Sequence, residues 1–214
     1  MTSNPDRPGG EPDAPSTPER SIRHVCVFCG SSSGEGGRYL DAVTELGRVL
    51  VEREIGLVYG GSRMGLMGRL AQSVLDGGGT VIGIMPRALM NREVVHSGVQ
   101  EMILTSSMHD RKSEMVARSD AFIAAPGGLG TLEAFFEVLT WGQLGFHRKP
   151  CGILDVAGFY RSLGMQFEQA SREGFLNDAH RRMVLIDDSP TRLLDRFEAY
   201  TPPEVPRWIA SGET

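Results

Sequence analysis

Long hydrophobic runs, paired cysteines and an excess of positive charge are all missing from this 214-residue sequence. No apolar stretch approaches the ~18 residues of a membrane span, and the N-terminus lacks the apolar core of a signal peptide. A membrane partner is therefore not expected, and the default expectation is a soluble, cytoplasmic protein. Lys+Arg total 22 against 27 Asp+Glu, a formal net charge of −5. That balance argues against a reader of nucleic-acid phosphates, which needs a basic face. The three cysteines, Cys26, Cys29 and Cys151, make no disulfide framework. Cys26-Val-Phe-Cys29 has no second pair near it and reads as two buried strand thiols. No His or Cys spacing suggests a metal site.

Residues 1–20 hold five prolines, two glycines and almost no apolar side chains. Such a segment cannot bury enough surface to offset its ordering entropy, so a disordered tail is expected. From Ile22 the pattern changes. Short apolar runs at 22–29, 55–60, 80–85, 99–104, 120–125, 151–155 and 183–187 alternate with helical spacings at 38–53, 66–75, 108–118, 158–173 and 190–199. Leu132, Phe135, Phe136 and Leu139 add an i, i+3, i+4, i+7 stripe. The alternation predicts an α/β domain over 21–200, with a parallel sheet covered by helices on both faces, followed by an extension at 201–214. Ligands of such folds bind beyond the carboxyl ends of the strands. That directs attention to loops 30–34, 60–65, 86–93 and 126–131.

Two of these loops are glycine-rich and sit between a strand and a helix. They are Tyr59-Gly-Gly-Ser-Arg-Met-Gly-Leu-Met-Gly68 and Pro126-Gly-Gly-Leu-Gly-Thr131. Glycines let a backbone approach a ligand, and a helix N-terminus offers amide hydrogens to an anion. Neither loop is a P-loop, because no Gly-Lys-Ser/Thr follows. A tight turn without ligand is the plain alternative for either loop alone. Two on one sheet favour a phosphate or nucleotide site. Arg111 and Lys112, in Met108-His-Asp-Arg-Lys-Ser-Glu-Met115, precede the strand that feeds the second loop. Taken alone, that pair would read as a solvated face. Beside a phosphate loop, the Arg111 guanidinium is suited to two-pronged phosphate binding. The methionines, Trp141, His109 and His147 read as packing or surface residues.

The strings YGGSRMGLMG, MHDRKSEM and PGGLGTLEAFFEVLTWGQLGFHRKP resemble the LOG ("lonely guy") family of cytokinin riboside 5′-monophosphate phosphoribohydrolases, from about residue 23 to 190. The resemblance implies a Rossmann-like fold and a homodimer. It also implies hydrolysis of the N-glycosidic bond of an N6-modified AMP to a free base and ribose 5-phosphate, with no cofactor. Carried over position by position, it assigns phosphate binding to Gly127, Gly128, Gly130 and Thr131. It assigns catalysis to Arg111, and substrate binding to Lys112, Glu93, Thr140, Gly60 and Gly61. Ser62 replaces the usual third glycine of the first loop. The family has also carried the label lysine decarboxylase. This chain has only two lysines, Lys112 and Lys149, and a pyridoxal-phosphate decarboxylase would need one as Schiff base on a larger scaffold.

One position departs from the family pattern. The motif PGGxGTxxE ends in the family's catalytic carboxylate, and that ninth position is Ala134. Glu133 sits one place early and Glu137 three places late. On a helix, Glu137 is turned about 60° from Ala134 and displaced by roughly 4.5 Å. Either is a candidate for the missing carboxylate. Losing one acid–base group typically costs 10²–10⁴-fold in rate, roughly 3–5 kcal/mol. Molybdenum-cofactor carriers resemble the same family, so a non-catalytic or weakly catalytic binder is the competing expectation.

Overall fold

A computed structural model describes residues 22–90 and 95–204. The expected disordered tail and Glu93 lie outside the described residues. Strands His24–Phe28 (β1), Gly56–Tyr59 (β2), Val81–Pro86 (β3), Glu101–Thr105 (β4), Ala121–Ala124 (β5), Cys151–Leu154 (β6) and Val184–Asp187 (β7) form one sheet. Their order is β4-β3-β2-β1-β5-β6-β7, and every pairing is parallel. Helices Arg38–Glu52 (α1), Gly65–Asp76 (α2), Met108–Ala117 (α3), Leu129–Gln143 (α4), Arg161–Arg172 (α5), Asp178–Arg181 (α6) and Pro190–Glu198 (α7) complete the fold.

The inner strands β2, β3, β5 and β6 are buried throughout because both faces are covered, while the edge strands β4 and β7 are mostly half-buried. Val25 and Val27 pack on one side with Leu46 and Leu50 of α1, Leu70 and Val74 of α2, and Leu193 and Phe197 of α7. Cys26 and Phe28 point to the other side, with Met115 of α3, Phe135 and Val138 of α4 and Phe167 of α5. This alternation is the period of two that a pleated strand imposes. The expected α4 stripe is only partly inward. Phe135 is fully buried, while Leu132, Phe136 and Leu139 are partly buried at the edge of the cluster.

Sequence order reverses between β1 and β5, which lie side by side. Helices leave in opposite directions there and open a crevice at the carboxyl ends. The expected helix 158–173 begins only at Arg161, because a short turn at Val156–Gly158 intervenes, with Ala157 in the left-handed region (φ 52°). The four-residue α6 and the turn Arg87–Leu89 carry too few residues to show a periodicity. The cysteines are buried thiols as expected. Burial pushes the Cys29 and Cys151 thiols up to about 12, which leaves them unreactive at neutral pH.

Candidate functional site

A cavity of about 370 Å³ opens at the crevice between β1 and β5. Its walls come from the end of β1 and the loop to Ser31, Gly60 after β2, Met67 of α2, Leu89 after β3, Met108 to Met115 on α3, and Gly128 to Ala134 at the start of α4. Its size falls in the range of small-molecule sites.

The α4 N-terminus forms the floor. Gly128 is the N-cap in extended conformation, with no side-chain cap, and Thr131 N–H and Leu132 N–H both turn back to the Gly128 carbonyl. That leaves the Leu129 and Gly130 amides, at the very start of the helix, with no intrahelical acceptor. A Cβ added to Gly128 or Gly130 would meet nothing within 4 Å, so the absent side chains leave open room beside those amides. Gly127 has a different constraint. A Cβ there would lie 2.1 Å from Thr131 Oγ1 and 2.9 Å from Gly30 N, so the loop closes onto β1 only with glycine. The closure is fixed by Gly30 N–H donating to Pro126 O (2.9 Å) and Ala125 N–H donating to Phe28 O (2.9 Å). The α2 N-terminus differs from that of α4. Gly30 O accepts from both Leu66 N–H and Met67 N–H, so those donors are already engaged.

Arg111 crosses the opposite wall. Its Nε donates to Ile84 O and its Nη2 to Gly60 O, each at 2.9 Å. Gly60 is required by this arrangement, since a Cβ would lie 2.2 Å from Arg111 Nη2. Gly60 thus positions the guanidinium as well as lining the cavity. Gly61, at φ +77°, makes the turn out of β2, accepts from His96 N–H, and does not line the cavity.

Lys112 is the one buried cation among the described residues, 9% exposed. Its Nζ lies 2.5 Å from Glu133 Oε1 and 2.7 Å from Glu137 Oε2. The second contact is an ion pair without hydrogen-bond alignment. Burial opposes the Lys112 charge, but its two carboxylate partners outweigh it and hold the ammonium above its ordinary range. Glu133 lines the cavity; Glu137 does not. Ala134 also lines it, so the small side chain stands at the wall where the family motif places a carboxylate. Thr140 lies nine residues beyond Thr131, about 13 Å along the helix. Its hydroxyl donates to Phe136 O (2.7 Å), and it borders a separate apolar groove with Leu163, Phe167 and Leu176. The fold therefore gathers Arg111, Lys112, Glu133, Gly128, Gly130, Thr131 and Gly60 at one cavity. Glu137 is tied in through Lys112, Gly127 supports the loop from behind, and Gly61 and Thr140 lie apart.

Tyr160 is a further support with no signal in the local pattern. It is buried and donates from its hydroxyl to Ala125 O (2.9 Å), the residue just ahead of the loop. It comes from the start of α5, thirty-odd residues downstream of the loop it holds.

The family model described as "Possible lysine decarboxylase" matches residues 67–197. The chain is 49% identical over 181 residues to the probable cytokinin riboside 5′-monophosphate phosphoribohydrolase LOGL6 of Oryza sativa subsp. japonica, covering 85% of this chain and 72% of the relative. It is likewise 49% identical to the cytokinin riboside 5′-monophosphate phosphoribohydrolase LOG2 of Arabidopsis thaliana, over 85% of each. A molybdenum cofactor binding protein from Rippkaea orientalis superposes with TM-score 0.61 at 24% identity, over 82% of this chain and 95% of that one. The molybdenum cofactor carrier protein of Chlamydomonas reinhardtii gives 0.60 at 17% identity, over 83% and 98%. At those identities the two structures share the fold alone. Near-half identity along most of its length shows that the chain belongs to the LOG-type cytokinin riboside 5′-monophosphate phosphoribohydrolase family.

Proposed function

We propose that this protein hydrolyses the N-glycosidic bond of an adenosine 5′-monophosphate, with N6-modified AMP as the preferred class, releasing the free base and ribose 5-phosphate. The observation that carries the reading is the cavity at the β1–β5 crossover. It sets an uncapped helix N-terminus, a guanidinium and a carboxylate around one space. The 5′-phosphate sits on the first-turn amides of α4, beside Gly128, Gly130 and Thr131. Arg111 binds the sugar-phosphate end. Positive charge builds on the sugar as the bond to the base breaks, and a carboxylate stabilises that oxocarbenium ion. Glu133 fills this role. It lines the cavity, and Lys112 holds its carboxyl in place while Glu137 anchors Lys112 from behind. Water adds to the anomeric carbon, the departing base takes a proton, and ribose 5-phosphate remains.

The protein acts as a cytoplasmic homodimer. The groove lined by Phe136, Leu139, Phe167, Leu176 and the exposed Phe175 supports this, because a second copy would cover it. Ala134 favours one other reading, a carrier that binds a nucleotide or the molybdenum cofactor without cleaving it. Incubating the protein with N6-isopentenyl-AMP and AMP, followed by chromatography, separates the two. Free base and ribose 5-phosphate in equal amounts are expected. Tight binding in calorimetry with no base released at high protein concentration would replace the hydrolase with the carrier.

A further inference from the structure

A second pocket, about 530 Å³, lies at the same edge of the sheet on the far side of the α2 start. Leu40 of α1, Arg63, Gly65, Gly68, Arg69 and Gln72 of the α2 region, and the 96–98 loop line it. We propose that this pocket is a binding site for a phosphate-bearing small anion, held between the Arg63 and Arg69 guanidiniums and His96 Nε2.

Three observations support the assignment. First, none of the described residues that line it is acidic, in a chain of net charge −5. Among the described residues, Arg63 and Arg69 form no ion pair. Second, the placement of Arg63 is enforced by local packing. A Cβ on Gly68 would lie 1.9 Å from Arg63 O, so glycine lets the Arg63 backbone rest on the first turn of α2, alongside Arg69. Gly65, at φ +53°, turns the chain into that helix. Third, His96 is oriented. Its backbone amide donates to Gly61 O (3.0 Å), and its Nδ1 accepts from Gly98 N–H (3.2 Å). With Nδ1 engaged as acceptor, the proton sits on Nε2, which becomes the donor on the free side of the ring.

The charges around His96 suit this use. Arg63 faces it from the loop, Arg69 lies on α2, and α1 contributes only Leu40. Gln72 is engaged by Asp76 further along α2, outside the pocket. Burial, and then the Arg63 charge, hold the imidazole below its ordinary pKa. An anion between them reverses that repulsion, and an opposite charge within about 4–6 Å typically raises such a pKa by one unit or more. Guanidinium pairs bind phosphate oxygens in two-pronged fashion, which favours phosphate over halide.

The test follows the His96 ring by NMR in the full chain across a pH series. Sodium phosphate is compared with sodium chloride at matched ionic strength, and ribose 5-phosphate forms a third arm. Phosphate is expected to raise the His96 pKa by about one unit beyond chloride. Paired replacement Arg63→Ser and Arg69→Gln should abolish that shift, while Arg69→Lys retains part of it. The double variant should keep wild-type turnover and the phosphate-induced shifts of the Gly130 and Thr131 amides, which report the other cavity. A stronger response to ribose 5-phosphate assigns the site to phosphate esters, and equal responses assign it to the bare ion. A His96 pKa that moves no more in phosphate than in chloride would overturn the proposal. So would a shift that survives unchanged in the double variant.

Discussion

Restoring the carboxylate at position 134 is the most informative single change. Ala134→Glu places an acid on the cavity wall, one helical position from Glu133 and three from Glu137. Glu133 serves from one position away, and a carboxylate at the family's own position adds at most the worth of one acid–base group, about 10²–10⁴-fold, or roughly 3–5 kcal/mol. Part of that gain is offset by repulsion. Side chains three apart on a helix lie about 5–6 Å apart, and two unit charges at 6 Å interact by about 3 kcal/mol at an effective dielectric of 20. Lys112 already neutralises one of the two neighbouring carboxylates, so the net repulsion is smaller. A gain of about 1.4 kcal/mol survives, and turnover should rise at least tenfold. Rates of base release from N6-isopentenyl-AMP, measured for wild type and variant with KM resolved from kcat, read this directly. An unchanged or lower kcat would refute the reasoning that Glu133, displaced from the family's position, leaves part of the stabilisation unrealised, and would mean that Glu133 alone already supplies it in full or that the cavity is not built for this bond.

Glu133→Gln should lower kcat by about 10²–10⁴-fold, whereas Glu137→Gln, outside the cavity lining, should cost less than tenfold; equal losses in steady-state assays would refute the division of roles. Tyr160→Phe leaves Ala125 O without its buried donor. It should cost about 1–3 kcal/mol in urea unfolding and raise KM for the nucleotide; an unchanged KM would show that the loop holds itself. His147 donates from Nε2 to Val138 O and accepts at Nδ1 from Lys149 N–H, so it is held neutral, and burial keeps its pKa below 6.5. Because the unfolded state takes up the proton first, this contribution to stability is complete above about pH 6.5 and falls below it, by at most ~1.4 kcal/mol per pH unit. The stability gap between wild type and His147→Gln should therefore be wider at pH 7.5 than at 5.5, and a pH-independent gap would contradict the assignment. Gly128→Ala places a methyl group in the open space beside the α4 amides, so nucleotide affinity should drop at least tenfold in calorimetry while the melting temperature changes little.

The order of strands and helices was legible because the inner strands are buried on both faces and read as apolar runs, whereas the edge strand β4, with Glu101 exposed, gave the weakest run. The two glycine loops were legible too, since strand, glycines and helix follow one another directly. Their division of labour was not. Gly60 turns out to make room for Arg111, a contact between residues fifty-one apart that no local pattern reports. Lys112 reads locally as one half of a solvated cationic pair, yet it is buried because Glu133 and Glu137 close over it from another helix. Thr140 shares α4 with the phosphate loop, and only the length of that helix puts it at a different groove. Tyr160 reaches the loop from the next βα unit, so its role depends on tertiary packing alone.

The central claim is that the start of α4 grips the nucleotide's phosphate and directs its sugar to Arg111 and Glu133. A crystal structure with AMP bound tests it most directly. The phosphate should lie within hydrogen-bonding distance of the amides from Gly128 to Gly130 and of the Thr131 hydroxyl, with the anomeric carbon facing the Glu133 carboxylate. A phosphate seated elsewhere, or an anomeric carbon turned away from Glu133 toward a different carboxylate, would contradict the account.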